Sequence, residues 1–251
     1  MVKLAYCAVS VSPVRSEHRD ASEIVTQLLF GEIVTVEEVA VPWCKIVTYS
    51  DNYTGYVDVK HLRYLSQKEV QRWLDGIGFQ TALLQKITTP WGQQWTYRGS
   101  FMAADRTDDF KIGNDAFQIS ERIDEAHFMS PSDAASHYLN SPYLWGGKSP
   151  FGIDCSGLTQ QVFRFFDINL PRDAAQQVEC GALVDFHDRL ENDLAFFVNS
   201  AGKVIHVGIL CSDGSIIHAA GYVRRDTLTA EGIVHSETQT ITHKLSEIRR
   251  M

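Results

Sequence analysis

The residues whose types could do chemistry begin with Cys155. It sits in "SPFGIDCSGLTQQVFRFF" (149–166), between an aspartate and a serine, close to two glycines and at the head of an apolar-periodic run. If a helix starts there, the sulfur lies beside unpaired backbone N–H groups and the positive end of the helix dipole, which favours thiolate over thiol. Gly152 and Gly157 would leave room around it. The same residue could instead be a small buried filler, a common use of free cysteine.

His206 and His218 are the second feature. "KVIHVGIL", "CSDG" and "SIIHAAG" predict a hairpin. With a three-residue loop at 211–213, the two histidines would lie directly opposite on one face, whereas a one-residue slip would put them on opposite faces. A thiol nucleophile needs a base to take its proton and a polar group to orient that base, and Cys155, His206 and His218 supply those types. Metal binding competes, since Cys and His are also zinc ligands, but close-spaced ligand pairs are missing: Cys211 falls in the turn and His187 in a loop.

These residues need elements to hold them. "CSGLTQQVFRFF" spaces Leu158, Val162, Phe165 and Phe166 as one helical stripe, and strands are expected at 193–198, 203–210 and 215–221. One helix followed by an antiparallel sheet is an α+β pattern. "SPSDAASHYL" opens this last domain as a capped helix, with Ser132 at its start and Asp133 in its first turn. Upstream, "EIVTVEEVAV", "WCKIVTY" and "SDNYTGYVDV" form a small β-barrel pattern, with chain reversals at Gly31 and Gly55. Ser66 and Glu69 stand in capping-box relation at the head of a short helix, and 80–120 carries weaker strand signals around a Pro90–Gly92 turn. The expected division is 1–65 as a β-barrel, 66–125 as a linker helix with a second small β unit, and 126–251 as the domain bearing Cys155.

Length and composition bound the rest. The 251 residues, 44% of them hydrophobic, suffice for packed cores, and the formal net charge of −8 argues against nucleic-acid or anionic-membrane partners. No run of 18 apolar residues occurs, so no membrane-inserted segment is expected, and the N-terminal stretch alternates like a strand rather than a signal sequence. Five cysteines without a CxxC pair suggest reduced thiols. The expectation is a cytoplasmic protein.

The ordered motifs "YLWGGKSPFGIDCSGLTQQVF", "LPRDAAQQ", "NDLAFF", "IHVGIL" and "DGSIIHAAG", over about 131–251, resemble the NlpC/P60 family of bacterial cell-wall peptidases. "VTQLLFGEIVTVEE", a tryptophan and "DNYTGYVD" resemble a bacterial SH3 domain. The combination is similar to the γ-D-glutamyl-L-diamino acid endopeptidases, which cut murein peptides carrying a free N-terminal L-Ala. The resemblance implies an α+β fold: a papain-like catalytic domain preceded by one or two small SH3-like β-barrels. It implies Cys155 as nucleophile, His206 as base, His218 as orienting residue and Tyr143 beside the oxyanion. Asp173 and Ser156 would meet the substrate's α-ammonium, and Glu32 and Tyr53 would close the L-Ala subsite; Arg172 reads as a surface or structural partner. Asn192 departs from the family's usual glycine, which bears on a tight turn. The implied protein is a monomer that uses no cofactor or metal and acts on a murein tripeptide or tetrapeptide. The alternatives are an amidase or acyltransferase on the same fold, or a catalytically silent cell-wall binding protein.

Overall fold

The computed structural model describes residues 3–105 and 107–251, which fold as two compact units. Of the described residues, those up to 127 with Lys148–Pro150 belong to the first, and 128–147 with 151–251 to the second.

In the first unit, period-two sequences give a seven-stranded antiparallel sheet. Its order is Ile24–Leu29, Val11–Arg15, Thr54–Asp58, Trp43–Thr48, Ile33–Ala40, Lys3–Cys7, Leu62–Leu65. Gly31 makes the expected reversal, with φ of +79°. Gly55 does not: it lies within the strand Thr54–Asp58, where a Cβ would fall 2.4 Å from Val14 Cγ1, so close strand packing excludes a side chain. Helix α1 (Gln67–Asp75) opens with the expected Ser66/Glu69 capping box. The expected middle β unit forms a four-stranded sheet around the hairpin Leu84–Thr89 and Gly92–Tyr97. It is not set apart from residues 1–65, because Trp73, Phe110 and Phe117 share one apolar cluster with Tyr6 and Phe30.

In the second unit, helix α2 (Pro131–Ser136) is capped by Ser130, which accepts the Asp133 N–H; Pro131 follows at the first helical position, so the start lies two residues before Ser132. Helix α3 (Cys155–Arg164) begins where expected, but all ten of its residues are buried rather than one stripe. Two of its polar residues find partners inside: Thr159 Oγ1 donates to Gln177 Oε1 at 2.7 Å, and Gln160 Nε2 to Leu170 O at 3.0 Å, whereas the Gln161 side-chain amide has no hydrogen-bond partner among the described residues. Helix α4 (Ala174–Gln177) follows.

The expected strands appear as Leu194–Val198, Val204–Leu210 and Ser215–Ala220, and three more follow: Tyr222–Leu228, Gly232–Val234 and Ile241–Arg250. The last pairs with both Leu194–Val198 and Gly232–Val234, so six strands close on themselves, with Ala182–Val184 added outside. Alternation divides the apolar residues. Leu194, Phe196, Val207, Ile209 and Ile217 share a cluster with α3, while Ala195, Phe197, Leu210, Ile216 and Ile248 form a second cluster. Asn192 takes φ of +74°, a conformation asparagine tolerates, and its Oδ1 accepts the Ser132 N–H at 2.8 Å. The turn therefore survives the absence of glycine. Among the described residues, no helix is long and apolar enough to cross a membrane.

Candidate active site

Cys155 is the first residue of α3, and the preceding Asp154 is its N-cap, accepting the Gly157 N–H at 2.7 Å. That carboxylate also accepts the Gly146 N–H at 2.8 Å and both terminal nitrogens of Arg172, at 3.0 and 2.6 Å. Arg172 is 1% exposed and donates to Ser156 Oγ at 2.9 Å as well, so it is a buried structural partner and not a surface group. The loop before the cysteine, the helix start and Ser156 are thus tied to one ion pair. Gly157 serves this packing. A Cβ there would lie 2.3 Å from Gly147 O, and one on Gly152 would strike Leu144, so both make room for the loop rather than for the sulfur.

Cys155 itself is 7% exposed. Burial, with the Asp154 charge, pushes its thiol up to about 12, against the pull of backbone hydrogen bonds from Val207 and Ser156 and of the Arg172 charge. Position at a helix start alone would favour thiolate; desolvation outweighs it, leaving a neutral thiol in the resting protein.

Val207 follows His206, so the Cys155 sulfur, which accepts the Val207 N–H, lies against the strand that bears His206. The hairpin pairs Gly208 with His218, two residues away from the expected register, because its loop is Ser212–Gly214 rather than 211–213. Gly214 supplies the left-handed residue, at φ +79°. A shift of two keeps the face, so the histidines are diagonal neighbours instead of direct partners, and His206 Nε2 reaches His218 Nδ1 at 2.8 Å. His218 Nε2 in turn lies 2.9 Å from Asp226 Oδ2, on the next strand. His243 stacks on His206 with centroids 4.2 Å apart.

Burial, then the neighbouring His218, His243 and Arg224, holds His206 well below the usual histidine range. Burial lowers His218 too, and lowers His243 to about 4. All three rings are therefore neutral near pH 7. Their ring nitrogens lie within 4.8 Å of one another, close enough to converge on a metal ion, although the bond between His206 and His218 already engages two of them.

Tyr143 is half-buried and packs against the cluster containing Cys155; burial and then the Cys155 and Asp154 charges push its hydroxyl up to about 12. Asp173 stands at the N-cap position of α4, yet its side chain makes no capping hydrogen bond. The structure thus gathers Cys155, Ser156, His206, His218 and Tyr143 in the second unit, which also contains Asp173. Glu32 and Tyr53 belong to the first. Glu32 is fully buried, with its carboxylate on Lys148 Nζ at 3.1 and 3.2 Å, the Leu29 N–H and the Ser50 hydroxyl. Its charge is matched by Lys148, at odds with the expectation of a carboxylate open to a substrate ammonium. Tyr53 is half-buried after a turn in which its N–H donates to Thr48 Oγ1.

The sequence reading missed Asp154, Asp226 and His243. Asp154 carried a usable signal, an aspartate immediately before a helix start. Asp226 sits in "YVRRDTL", which has the look of an exposed charged strand.

Comparison with known proteins follows the same division. The NlpC/P60 family model matches residues 140–243, and the bacterial dipeptidyl-peptidase Sh3 domain model matches 14–62. The chain is 27% identical over 232 residues to a gamma-D-glutamyl-L-lysine dipeptidyl-peptidase of Bacillus cereus, covering 80% of this chain and 68% of that protein. It is 32% identical over 112 residues to a probable endopeptidase NlpC of Escherichia coli, covering 44% of this chain and 68% of that one. The crystal structure of an NlpC/P60 family protein from Bacillus cereus superposes with a TM-score of 0.77 at 20% identity, over 98% of this chain and 99% of the other, and so carries the fold.

Proposed function

The chain belongs to the NlpC/P60 family of peptidases, and on that premise we propose that it hydrolyses the bond between γ-D-Glu and the diamino acid of murein peptides with a free N-terminal L-Ala. The observation that carries this reading is the thiol of Cys155, set at a capped helix start against the strand that bears His206.

His206 takes the Cys155 proton as the sulfur attacks the γ-carbonyl, since a buried neutral thiol beside a neutral imidazole favours transfer during attack over a standing ion pair. Backbone N–H groups at the helix start, with the Tyr143 hydroxyl, stabilise the oxyanion. His206 then protonates the leaving amine, and water releases the acyl group. Asp173 and Ser156 receive the substrate's α-ammonium in this scheme. Glu32 contributes less than the family resemblance implies, because Lys148 already holds it. The proposed setting is the recycling of wall peptides in the cytoplasm.

The test is incubation of reduced protein with L-Ala-γ-D-Glu-diaminopimelate and its lysine counterpart, followed by mass analysis. Release of the L-Ala-γ-D-Glu dipeptide is expected, with at least tenfold slower cleavage of the N-acetylated peptides. Equal cleavage of both would overturn the dipeptidyl specificity and favour the second reading, an amidase or acyltransferase on the same fold, which the engagement of Glu32 by Lys148 supports. No cleavage of any peptide would overturn the peptidase itself.

A further inference from the structure

Asp226 is hidden at the far end of the histidine pair. Its side chain is fully buried and its two oxygens have separate duties: Oδ1 accepts the Ser236 N–H at 2.9 Å, and Oδ2 faces His218 Nε2 and Arg224 Nε, each at 2.9 Å. Arg224 is itself held by His235 Nε2, at 2.8 Å from its guanidinium. The Ser236 N–H and the Arg224 guanidinium can offer the carboxylate only protons and positive charge. Burial alone would raise Asp226, but the hydrogen bonds from His218 and Ser236 and the Arg224 charge overcome it and hold the carboxyl well below the usual range.

An ionised carboxylate accepts and cannot donate, so the proton on His218 must sit on Nε2. A neutral His218 then offers Nδ1 as an acceptor, and the nitrogen 2.8 Å from it, His206 Nε2, must carry a proton. That leaves His206 with its Nδ1 lone pair bare. We infer that Asp226 is a positioning residue of the reaction centre: it fixes the tautomer of His218 and, through it, makes His206 Nδ1 the proton acceptor for the Cys155 thiol. The inference rests on the reading of Cys155 and His206 as nucleophile and base, but its principal test needs no substrate. The arrangement parallels the way a carboxylate behind a ligating histidine selects which ring nitrogen is protonated.

The Asp226→Asn substitution probes this closely. The amide has one acceptor oxygen where the carboxylate has two, and the Ser236 backbone N–H can only donate. With the oxygen on Ser236, the amide N–H₂ takes the place of Oδ2; Arg224 Nε makes no hydrogen bond there and loses only its ion pair, whereas His218 Nε2 must become a bare nitrogen to accept. The proton moves to His218 Nδ1, His206 Nε2 becomes the acceptor, and the proton of His206 shifts to Nδ1, where it blocks the base.

The experiment is ¹⁵N NMR of histidine-labelled full-length protein at neutral pH, with assignments from single histidine variants. In the wild type, His206 and His218 are both expected to show protonated Nε2 and bare Nδ1. In Asp226→Asn the pattern should invert, with kcat on the L-Ala-γ-D-Glu-diamino acid peptide reduced about 100-fold or more and KM changed less than about threefold. Asp226→Glu, which keeps the carboxylate, should retain the wild-type tautomers and recover at least a tenth of kcat. Protonated Nδ1 on wild-type His206 would overturn the inference even if the variant failed to fold. So would a folded Asp226→Asn protein with unchanged tautomers or unchanged kcat. A missing activity in wild type with the expected tautomers would count against the peptidase reading alone.

Discussion

Cys7, in the first unit, and Cys155, in the second, are both free thiols in well-packed surroundings, and burial raises both. Their backbone environments differ in degree. Cys7 ends the strand Lys3–Cys7, and its sulfur lies near the carbonyl oxygens of Val9 and Leu28, at 3.4 and 3.9 Å; the Glu32 carboxylate adds to the rise, and a backbone hydrogen bond from Val9 and the Lys148 charge oppose it. Cys155 begins a helix and its sulfur receives hydrogen bonds from Val207 and Ser156. Carbonyls around a sulfur favour S–H, whereas N–H groups are ready to hold negative charge once a base removes the proton. Depth of burial therefore does not separate the two thiols; what sets Cys155 apart is its place at a capped helix start with backbone hydrogen bonds from both Val207 and Ser156 on its sulfur.

Deleting each sulfur gives the largest contrast. Cys155→Ala is expected to lower peptide hydrolysis by at least about 10³-fold with little change in melting temperature. Cys7→Ala should leave the rate within about twofold and cost about 1–2 kcal/mol of stability from the space it empties. Hydrolysis rates and urea unfolding of the two variants check both halves. A Cys155→Ala protein that still turned over would erase the distinction between the two sites.

The buried ion pairs sharpen the same contrast. Lys148–Glu32 in the first unit and Arg172–Asp154 in the second have the cation side chains 1% exposed. Breaking such a pair strands a carboxylate in a dry interior, at a cost of about 3–5 kcal/mol. Lys148→Met and Arg172→Met are both expected to lose stability on that scale in urea unfolding. Arg172→Met should also slow hydrolysis at temperatures where the protein stays folded, because Asp154 caps the helix that starts with Cys155. Full activity in folded Arg172→Met would show that the capped start needs no such clamp.

Much of this was legible from local signals. The helix beginning at Cys155 follows from an N-cap aspartate and an apolar period, and the histidine hairpin from strand alternation around Ser-Asp-Gly. The register was off by two because a turn sequence does not fix which residue leaves the ladder; the shared face survived because the error was even. Lys148, Arg172 and Asp226 were not legible as buried groups. A charged residue in a short motif resembles solvated surface until a partner distant in sequence is known, and Glu32 is 116 residues from Lys148. The closure of the six strands was equally hidden, since Ile241–Arg250 pairs with strands on both sides of the histidine hairpin in sequence.

Acid should separate the units by a smaller, graded effect. In the second unit His206, His218 and His243 are all held below the ordinary histidine value, His243 at about 4. In the first, among the described residues, His61 alone shows such a lowering, from burial. Each depressed histidine stabilises the fold fully above the unfolded value near 6.5 and loses that contribution as pH falls towards its folded value, because the unfolded chain takes up the proton first. The slope is about 1.4 kcal/mol per pH unit for each ring that is protonated only when unfolded. As pH falls from 6.5 the second unit should therefore lose stability up to three times as steeply as the first, with His243 carrying its share of the loss down to about 4. Hydrogen exchange at pH 7 and pH 5, corrected for the intrinsic rate, resolves both units in one sample. The amides of 194–210 should lose more protection than those of 33–48. Equal losses would mean that one or more of the three histidines is already charged at neutral pH, which would break the chain of neutral rings through which Asp226 sets the base.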